Sequence, residues 1–225
     1  MLQRKQQSFQ LQTLKDLKPL TQIIILDDAF QHRRINPGIS ILLTVYNDLY
    51  SDDCLLPVGN LREPIFGSKR AQIIIVTKCP EDLGSSEKQI IEKKLNLGQN
   101  QKLFFSSIVY DSKIYSNQKI KPLSSLINKN FTLVTGVANS KPLVNHLRAL
   151  NFKFQHLEFP DHHHFSSNEL NLISSEKIIL TTEKDFSRLN LVEHESLFYI
   201  PIKTKIHLQE KFENEIMIFL ENFAF

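Results

Sequence analysis

The chain alternates short, continuous apolar runs with polar segments that have helical spacing. Runs of large aliphatic residues, many of them β-branched, predict strands buried on both faces of a parallel sheet, whose crossovers are usually helices. The predicted strands are Ile23–Leu26, Ile41–Tyr46, Gln72–Thr77, Leu103–Tyr110, Phe131–Thr135, Phe152–Phe159, Ile178–Thr181 and Leu197–Ile202. The predicted helices lie in Met1–Thr21, Ser85–Leu97, Lys141–Leu150, a segment from Ser166 or Ser167 to Leu172, and Leu208–Phe225. This order predicts an α/β fold, in which Ile23–Leu26 is the strand around which the rest is arranged.

The segment Asp111–Asn130 is polar, rich in lysine and serine, and without clear periodicity. Such composition is typical of a domain boundary. We therefore expect residues 1–120 to form one α/β domain, residues 121–203 a second and smaller α/β domain, and residues 204–225 a closing helix. In the second domain, Ser140 is predicted to cap the helix that starts at Lys141.

Length and composition describe a globular protein: 225 residues, 41% of them hydrophobic, with six glycines and nine prolines. A net charge of +3 without a long lysine or arginine run gives no reason to predict nucleic-acid binding, although a basic face toward an anionic lipid surface stays open. Two cysteines, Cys54 and Cys79, with no Cys-x-x-Cys motif, favour a reducing compartment. No apolar run is long enough to predict a transmembrane helix.

Two carboxylates, Asp27 and Asp28, directly follow the predicted strand Ile23–Leu26. Adjacent carboxylates at the carboxyl end of a buried strand are costly unless a cation compensates them, and Mg²⁺ prefers oxygen ligands. This arrangement is typical of the Walker B strand of P-loop nucleotide enzymes. An equally economical interpretation is a strand that ends in an aspartate-rich turn.

A second candidate is the loop Leu55–Pro64, in which two prolines and a glycine exclude a regular helix and place Arg62 and Glu63 on a shaped connection. A cationic side chain beside an acidic cluster can neutralise phosphate charge during phosphoryl transfer. Most Arg–Glu pairs on loops are nevertheless solvated surface pairs.

A third candidate is Asp161-His162-His163-His164 at the end of a predicted strand. Consecutive side chains of an extended segment point in opposite directions, so the three imidazoles cannot all face one metal ion. One histidine that Asp161 orients for proton transfer is the more economical hypothesis, and a histidine-rich polar loop is the alternative. The segment Thr182–Asp185 follows another predicted strand, where a helix start explains it equally well.

Five ordered segments resemble the motifs of the tetraacyldisaccharide 4′-kinase family, which acts in lipid A synthesis. They are Asp27–Arg33, Leu55–Pro64, Thr135–Asn139, Phe159–Phe165 and Thr182–Asp185. The resemblance runs from about residue 20 to about residue 203. It implies a P-loop-kinase-like parallel sheet, incomplete at its N-terminus, with a second, smaller α/β domain.

The resemblance implies transfer of the ATP γ-phosphoryl group to the 4′-hydroxyl of a tetraacylated glucosamine disaccharide 1-phosphate. ATP is then a substrate, Mg²⁺ the cofactor, and the lipid disaccharide the partner, at the cytoplasmic face of the bacterial inner membrane. The residues and their expected roles are Asp27, Asp28 and Glu63 as magnesium ligands, Arg62 and His162 as catalytic groups, and Gln31 and His32 as substrate contacts. The resemblance assigns no nucleotide-binding residue in this chain and no oligomeric state.

The sequence departs from that family in two ways. It contains no G-x-x-x-x-G-K-[ST] phosphate loop, which the family carries upstream of the Asp-Asp strand together with a further acid and a membrane-associating helix. Ala29 stands where the family usually has glycine. We therefore expect the chain to be the C-terminal two-thirds of such a kinase and to be inactive alone.

Two other functions stay open at this point. One is a nucleotide- or lipid-binding module without turnover. The other is a metal-dependent phosphoesterase of the Asp-His-His type, prompted by Asp161-His162-His163, although such enzymes need further dispersed Asp and His ligands.

Overall fold

The computed structural model describes residues 23–189 and 194–222. These residues divide into two compact units, the first up to Ser107 and again from Lys205, the second Ile108–Thr204. The expected domain boundary at residue 120 stays a prediction. The predicted helix in Met1–Thr21 lies outside the described residues. None of the described helices has the length and apolar character that spanning a bilayer requires.

The first unit contains a four-stranded sheet in the order β1, β2, β3, β10. Its strands are β1 (Ile41–Val45), β2 (Ile73–Thr77), β3 (Lys102–Tyr110) and β10 (Ile202–Ile206), of which β3 and β10 continue into the second unit. Strands β1 and β3 both run parallel to β2. The helices are α1 (Ser85–Leu95) and α5 (Gln209–Asn222), with 3₁₀ turns at Tyr50–Asp52 and Ile65–Arg70.

Strand β2 is the centre of this unit because both of its faces are covered. Ile74 and Val76 pack in a core cluster with Ile91 of α1, whereas Ile73 and Ile75 pack in another cluster with Phe212 of α5. A strand with helices on both faces is expected to read as a continuous aliphatic run, which is what Ile73-Ile74-Ile75-Val76 does.

The prediction that Ile23–Leu26 is the buried central strand was wrong. The segment belongs to no strand, and Ile23 is 58% and Ile25 88% exposed. An aliphatic run becomes a strand only where a neighbouring strand satisfies its backbone and other elements cover its side chains. Among the described residues these conditions are met at β2, two apolar runs later along the chain.

The second unit contains a six-stranded sheet in the order β5, β4, β9, β8, β6, β7. Its strands are β4 (Lys113–Tyr115), β5 (Ile120–Pro122), β6 (Phe131–Thr135), β7 (Phe154–Glu158), β8 (Ile179–Thr182) and β9 (Leu197–Ile200). Strands β6 to β9 are parallel, and β4 pairs antiparallel with β5 and β9. The helices are α2 (Lys141–Ala149), α3 (Ser167–Ser174) and α4 (Glu183–Leu189), with a 3₁₀ turn at Leu123–Leu126.

The segment expected to be an irregular boundary is part of the core of this unit. Ile114 of β4 is fully buried, and Leu123 and Leu126 pack in the same cluster as Leu133. These apolar residues are too sparse for a periodic signal, so the polar majority of residues 111–130 concealed them.

Two predicted helix starts have different outcomes. Ser166 caps α3, since its hydroxyl and the Glu169 carboxylate form a reciprocal capping box. Ser140 precedes α2 but makes no capping bond, because its hydroxyl donates to Glu158 at the end of β7 instead.

We predict that Ile74→Ala lowers the free energy of unfolding by about 2–5 kcal/mol, the usual result of emptying a buried aliphatic site. Ile25→Ala is the matched control and should change it by less than about 0.5 kcal/mol, as exposed sites usually do. Urea unfolding of the chain measures both. Equal losses at the two positions would mean that Ile23–Leu26 is buried after all.

Candidate functional site

The first group of predicted site residues lies in the first unit, in the segment that begins at residue 27 and in the loop 55–64. Asp27 and Asp28 are both exposed, and the Asp28 backbone N–H donates to Asp27 Oδ1 at 2.9 Å. Asp28 has a φ of 48°, in the left-handed region that aspartate tolerates better than most residues. The two carboxylates therefore end an exposed segment in a tight turn.

Glu63 is held by two arginines. Its carboxylate accepts two hydrogen bonds from Arg70, at 2.8 and 2.9 Å, and one from Arg33 at 2.7 Å, while its side chain is only 17% exposed. Hydrogen bonds from Arg70, with support from Arg33, lower the pKa of Glu63 to about 2. The carboxylate is therefore ionised and occupied by protein donors.

Arg70 connects this carboxylate to the segment after Asp28. Its guanidinium donates to the Phe30 carbonyl at 3.0 Å and lies 4.5 Å from the centroid of the Phe30 ring. An added Cβ at Gly67 would lie within 3.0 Å of the Glu63 carboxylate and the Arg70 guanidinium, so a larger residue there would displace this ion pair. Sequence reasoning missed Arg70, for which the available signal was its place one turn beyond Gly67 in a basic, glycine-containing segment.

Arg62 and Gln31 are brought within reach of each other, with Arg62 donating to Gln31 Oε1 at 3.4 Å. His32 is exposed in the turn that its own N–H closes onto the Ala29 carbonyl at 2.9 Å. The catalytic role of Arg62 and the substrate contacts of Gln31 and His32 stay predictions.

The three predicted magnesium ligands are not gathered into one site. Within residues 23–189 and 194–222, no group of three or more His, Cys, Asp or Glu side chains is placed to hold a metal. Asp27 and Asp28 can still serve an ion that takes its other ligands from phosphates and water, as Mg²⁺ commonly does. Glu63 fits that role poorly, because two arginines occupy its oxygens.

The second group of residues lies at the carboxyl edge of the parallel strands of the second unit. Three segments end there: Thr135-Gly136 after β6, Pro160-Asp161-His162 after β7, and Thr182-Glu183-Lys184-Asp185 at the end of β8. In open α/β sheets this edge is where ligands bind.

Asp185 joins these segments. It is fully buried, and its Oδ2 accepts from the Gly136 backbone N–H at 2.8 Å and from the Thr182 hydroxyl at 2.7 Å. The Asp185 N–H donates back to the Thr182 hydroxyl at 3.1 Å, so the segment is also a helix start of the kind expected for its sequence. An added Cβ at Gly136 would lie 3.1 Å from Asp185 Oδ1, which explains a glycine here.

His162 is surrounded by charged groups although its side chain is 71% exposed. Lys184 Nζ lies 2.9 Å from Asp161 Oδ1 and 3.3 Å from His162 Nε2, and Arg188 NH2 lies 3.2 Å from His162 Nδ1. The hydrogen bond from Lys184 lowers the pKa of Asp161, which is therefore ionised. Sequence reasoning missed Arg188, whose signal was its position three residues after Asp185 on α4.

The other two histidines of the run lie in different surroundings. His163 Nε2 lies 3.1 Å from both carboxylate oxygens of Glu169, and its ring stacks on Phe159 with centroids 4.9 Å apart. His164 is exposed. The three imidazoles therefore do not converge, as expected, but the reason is a turn at Asp161 and His162, where His162 has a φ of 59°, and not the alternation of an extended strand.

The architecture is an α/β fold of the P-loop-kinase type, with mainly parallel sheets. The structure resembles LpxK from Aquifex aeolicus, a protein solved in complex with ATP, with a TM-score of 0.61 and 25% sequence identity over 87% of this chain and 56% of that one. A sequence model of the tetraacyldisaccharide-1-P 4′-kinase family matches residues 3–221. The chain therefore belongs to the tetraacyldisaccharide 4′-kinase family.

Two relatives named tetraacyldisaccharide 4′-kinase illustrate the similarity. The protein from Bacteroides thetaiotaomicron is 41% identical and that from Flavobacterium johnsoniae 42% identical, each over 92% of this chain. The chain spans about three-fifths of the length of these relatives, since 61% of each is covered.

We predict that Glu63→Gln destabilises the chain at neutral pH and that the difference from the parent narrows as the pH falls. A carboxylate whose folded pKa lies below its ordinary value stabilises the fold above that ordinary value, and loses this contribution as the pH falls from about 4.5 to about 2. Unfolding curves for the parent and the variant, recorded across this pH range, give the difference between their free energies of unfolding. The other acidic residues are the same in both proteins and do not contribute to this difference. A difference that does not depend on pH would contradict the lowering of the Glu63 pKa by Arg70 and Arg33.

Proposed function

We propose that this chain supplies part of the catalytic machinery for phosphorylating the 4′-hydroxyl of a tetraacylated glucosamine disaccharide 1-phosphate with ATP. Family membership supports the reaction, and the ATP complex of the Aquifex aeolicus neighbour supports the phosphoryl donor. The observation that carries the proposal is that three strand ends meet at one edge of the second unit, where Asp185 binds Gly136 and Arg188, and Arg188 contacts His162.

In this proposal His162 accepts the proton of the attacking hydroxyl. The hydroxyl oxygen forms the new bond to the γ-phosphorus, the bond from that phosphorus to the β–γ bridging oxygen breaks, and ADP leaves. The exposed ring can meet a substrate, and an imidazole suits this role because its ordinary pKa lies near neutrality.

The cationic groups beside His162 support the same assignment. Lys184 stays paired with the ionised Asp161, and Arg188 with the buried Asp185, so the ring is held by groups that are themselves fixed. A ring positioned before the substrate arrives loses less freedom on reaching the reacting geometry.

The first unit has the complementary role of handling phosphate charge. Asp27 and Asp28 would hold Mg²⁺ together with phosphate oxygens, and this ion would neutralise charge on the transferred group. Arg62 would meet phosphate charge, with Gln31 and His32 as substrate contacts. Glu63, which was expected to be a magnesium ligand, would instead orient Arg33 and Arg70 and so shape the turn beyond Asp28.

A lipid substrate places the reaction at a membrane surface, and we propose peripheral association with the cytoplasmic face of the inner membrane. Large apolar side chains exposed in the first unit support contact with acyl chains, among them Val58, 84% exposed, and Phe66, 70% exposed.

The test is a phosphoryl-transfer assay with Mg-ATP and the lipid disaccharide. It compares the chain alone with a chimaera that adds the part of the Flavobacterium johnsoniae relative not covered by this chain. We expect no turnover from the chain alone and turnover from the chimaera. In the chimaera, His162→Ala should lower the rate by about 10²-fold or more, the scale of general acid–base catalysis.

The matched controls are His163→Ala and His164→Ala in the same chimaera. His163→Ala should lower stability through the lost Glu169 contact, and both controls should keep a rate close to that of the parent when assayed at a temperature where they are folded. Equal rate losses at all three positions would contradict the role of His162. Binding of Mg-ATP or lipid without turnover in the chimaera would favour the non-catalytic module.

A further inference from the structure

We infer that Arg188, held by the buried Asp185, is a positioning residue that fixes the tautomer of His162. The inference concerns which ring nitrogen carries the proton, and its meaning for catalysis rests on the proposed function.

Both nitrogens of the His162 ring face groups that can only donate. Arg188 NH2 lies 3.2 Å from Nδ1, and Lys184 Nζ lies 3.3 Å from Nε2. A guanidinium has five N–H donors and no acceptor, and an ammonium has three donors and no acceptor. A neutral imidazole has one unprotonated nitrogen, so only one of the two contacts can be a hydrogen bond at any moment.

The positions of the remaining partners favour a proton on Nε2. In that tautomer Nδ1 accepts from Arg188, and the Nε2 proton faces Asp161 Oδ2, which lies 3.6 Å away. The Nε2 proton also faces the Lys184 ammonium at 3.3 Å, a contact that Lys184 can give up because it keeps its 2.9 Å bond to Asp161 Oδ1.

The other tautomer leaves two conflicts. A proton on Nδ1 would point at an N–H group of Arg188. Both groups would then be donors, and no hydrogen bond could form between them. The lone pair on Nε2 could accept from Lys184 Nζ at 3.3 Å, but it would also face the ionised Asp161 carboxylate at 3.6 Å. Arg188 at Nδ1 and Asp161 at Nε2 therefore favour the same form, with the proton on Nε2.

Arg188 can act in this way because its own position is fixed. Its NH1 group lies 3.3 Å from Oδ1 of Asp185, a carboxylate that is fully buried and bound by Gly136 and Thr182, and its side chain is only 25% exposed. An arginine anchored at one end to a buried acid presents its other N–H groups in a set direction.

The consequence for the reaction is that Nδ1 is the nitrogen able to take up a proton. Arg188 occupies that lone pair in this structure, so the substrate hydroxyl must replace the Arg188 N–H to deliver its proton there. Arg188 would keep its contact with Asp185 when it is displaced.

The experiment is ¹⁵N NMR of the histidine rings in the folded chain, at a pH well above the ordinary histidine pKa of about 6.5. Signals of His162 are assigned by their loss in His162→Gln. In the parent we expect Nδ1 to show the chemical shift of an unprotonated nitrogen and Nε2 that of a protonated one. The reverse pattern in the parent would overturn the inference, whatever any variant does.

Two variants separate the cations. Arg188→Met removes the donor at Nδ1 and should move His162 toward the tautomer with the proton on Nδ1, whereas Lys184→Met, the matched control, should leave the parent pattern unchanged. Arg188→Lys, which restores a donor, should return the pattern toward that of the parent. An unchanged tautomer in folded Arg188→Met would overturn the inference.

The readout does not depend on turnover. A failure of the kinase assay with the expected tautomers would reject the proposed function and keep the role of Arg188. Turnover of the chimaera together with the reversed tautomer would keep the proposed function and reject the role of Arg188.

Discussion

The carboxyl edge of the second unit depends on one buried carboxylate. Asp185 is fully buried, yet it has a partner for each oxygen: the Gly136 N–H and Thr182 hydroxyl on Oδ2, and Arg188 on Oδ1. A buried charge is tolerated only when it is paired and hydrogen-bonded. The folded chain creates these contacts, and its stability in turn depends on them. They join the ends of β6 and β8 and direct Arg188 toward His162, which connects the packing of the sheet to the chemistry proposed for its edge.

The first unit has a carboxylate of the same kind in a less buried position. Glu63 is bound by Arg33 and Arg70, and Arg70 in turn contacts the Phe30 carbonyl and ring. In both units an acid fixes an arginine, and the arginine reaches a residue within a segment that resembles a family motif. Some charged residues at these two candidate sites thus serve to hold other side chains in place.

Much of the fold could be predicted because parallel strands with both faces covered leave continuous aliphatic runs, as Ile73–Val76 and Phe131–Val134 do. The same signal failed at Ile23–Leu26, where composition favours a strand but no described element covers it. At the candidate site, the strand-end motifs could be located because ligand groups collect at that edge of a sheet. Arg70 and Arg188 could not, since their importance comes from contacts with Glu63 and with Asp185 and His162 that only the folded chain creates.

The measurement that tests the account most directly is the free energy of unfolding of Asp185→Ala, with Asp161→Ala as the control at a carboxylate that is 34% exposed. Removing Asp185 leaves a buried Gly136 N–H without its acceptor and Arg188 without its anchor. The account predicts a loss of about 3–5 kcal/mol, the usual result of removing one partner from a buried ion pair. Asp161→Ala should cost less than about 1 kcal/mol, as exposed ion pairs do. A loss at Asp185 as small as that at Asp161 would contradict the claim that this buried carboxylate organises the edge.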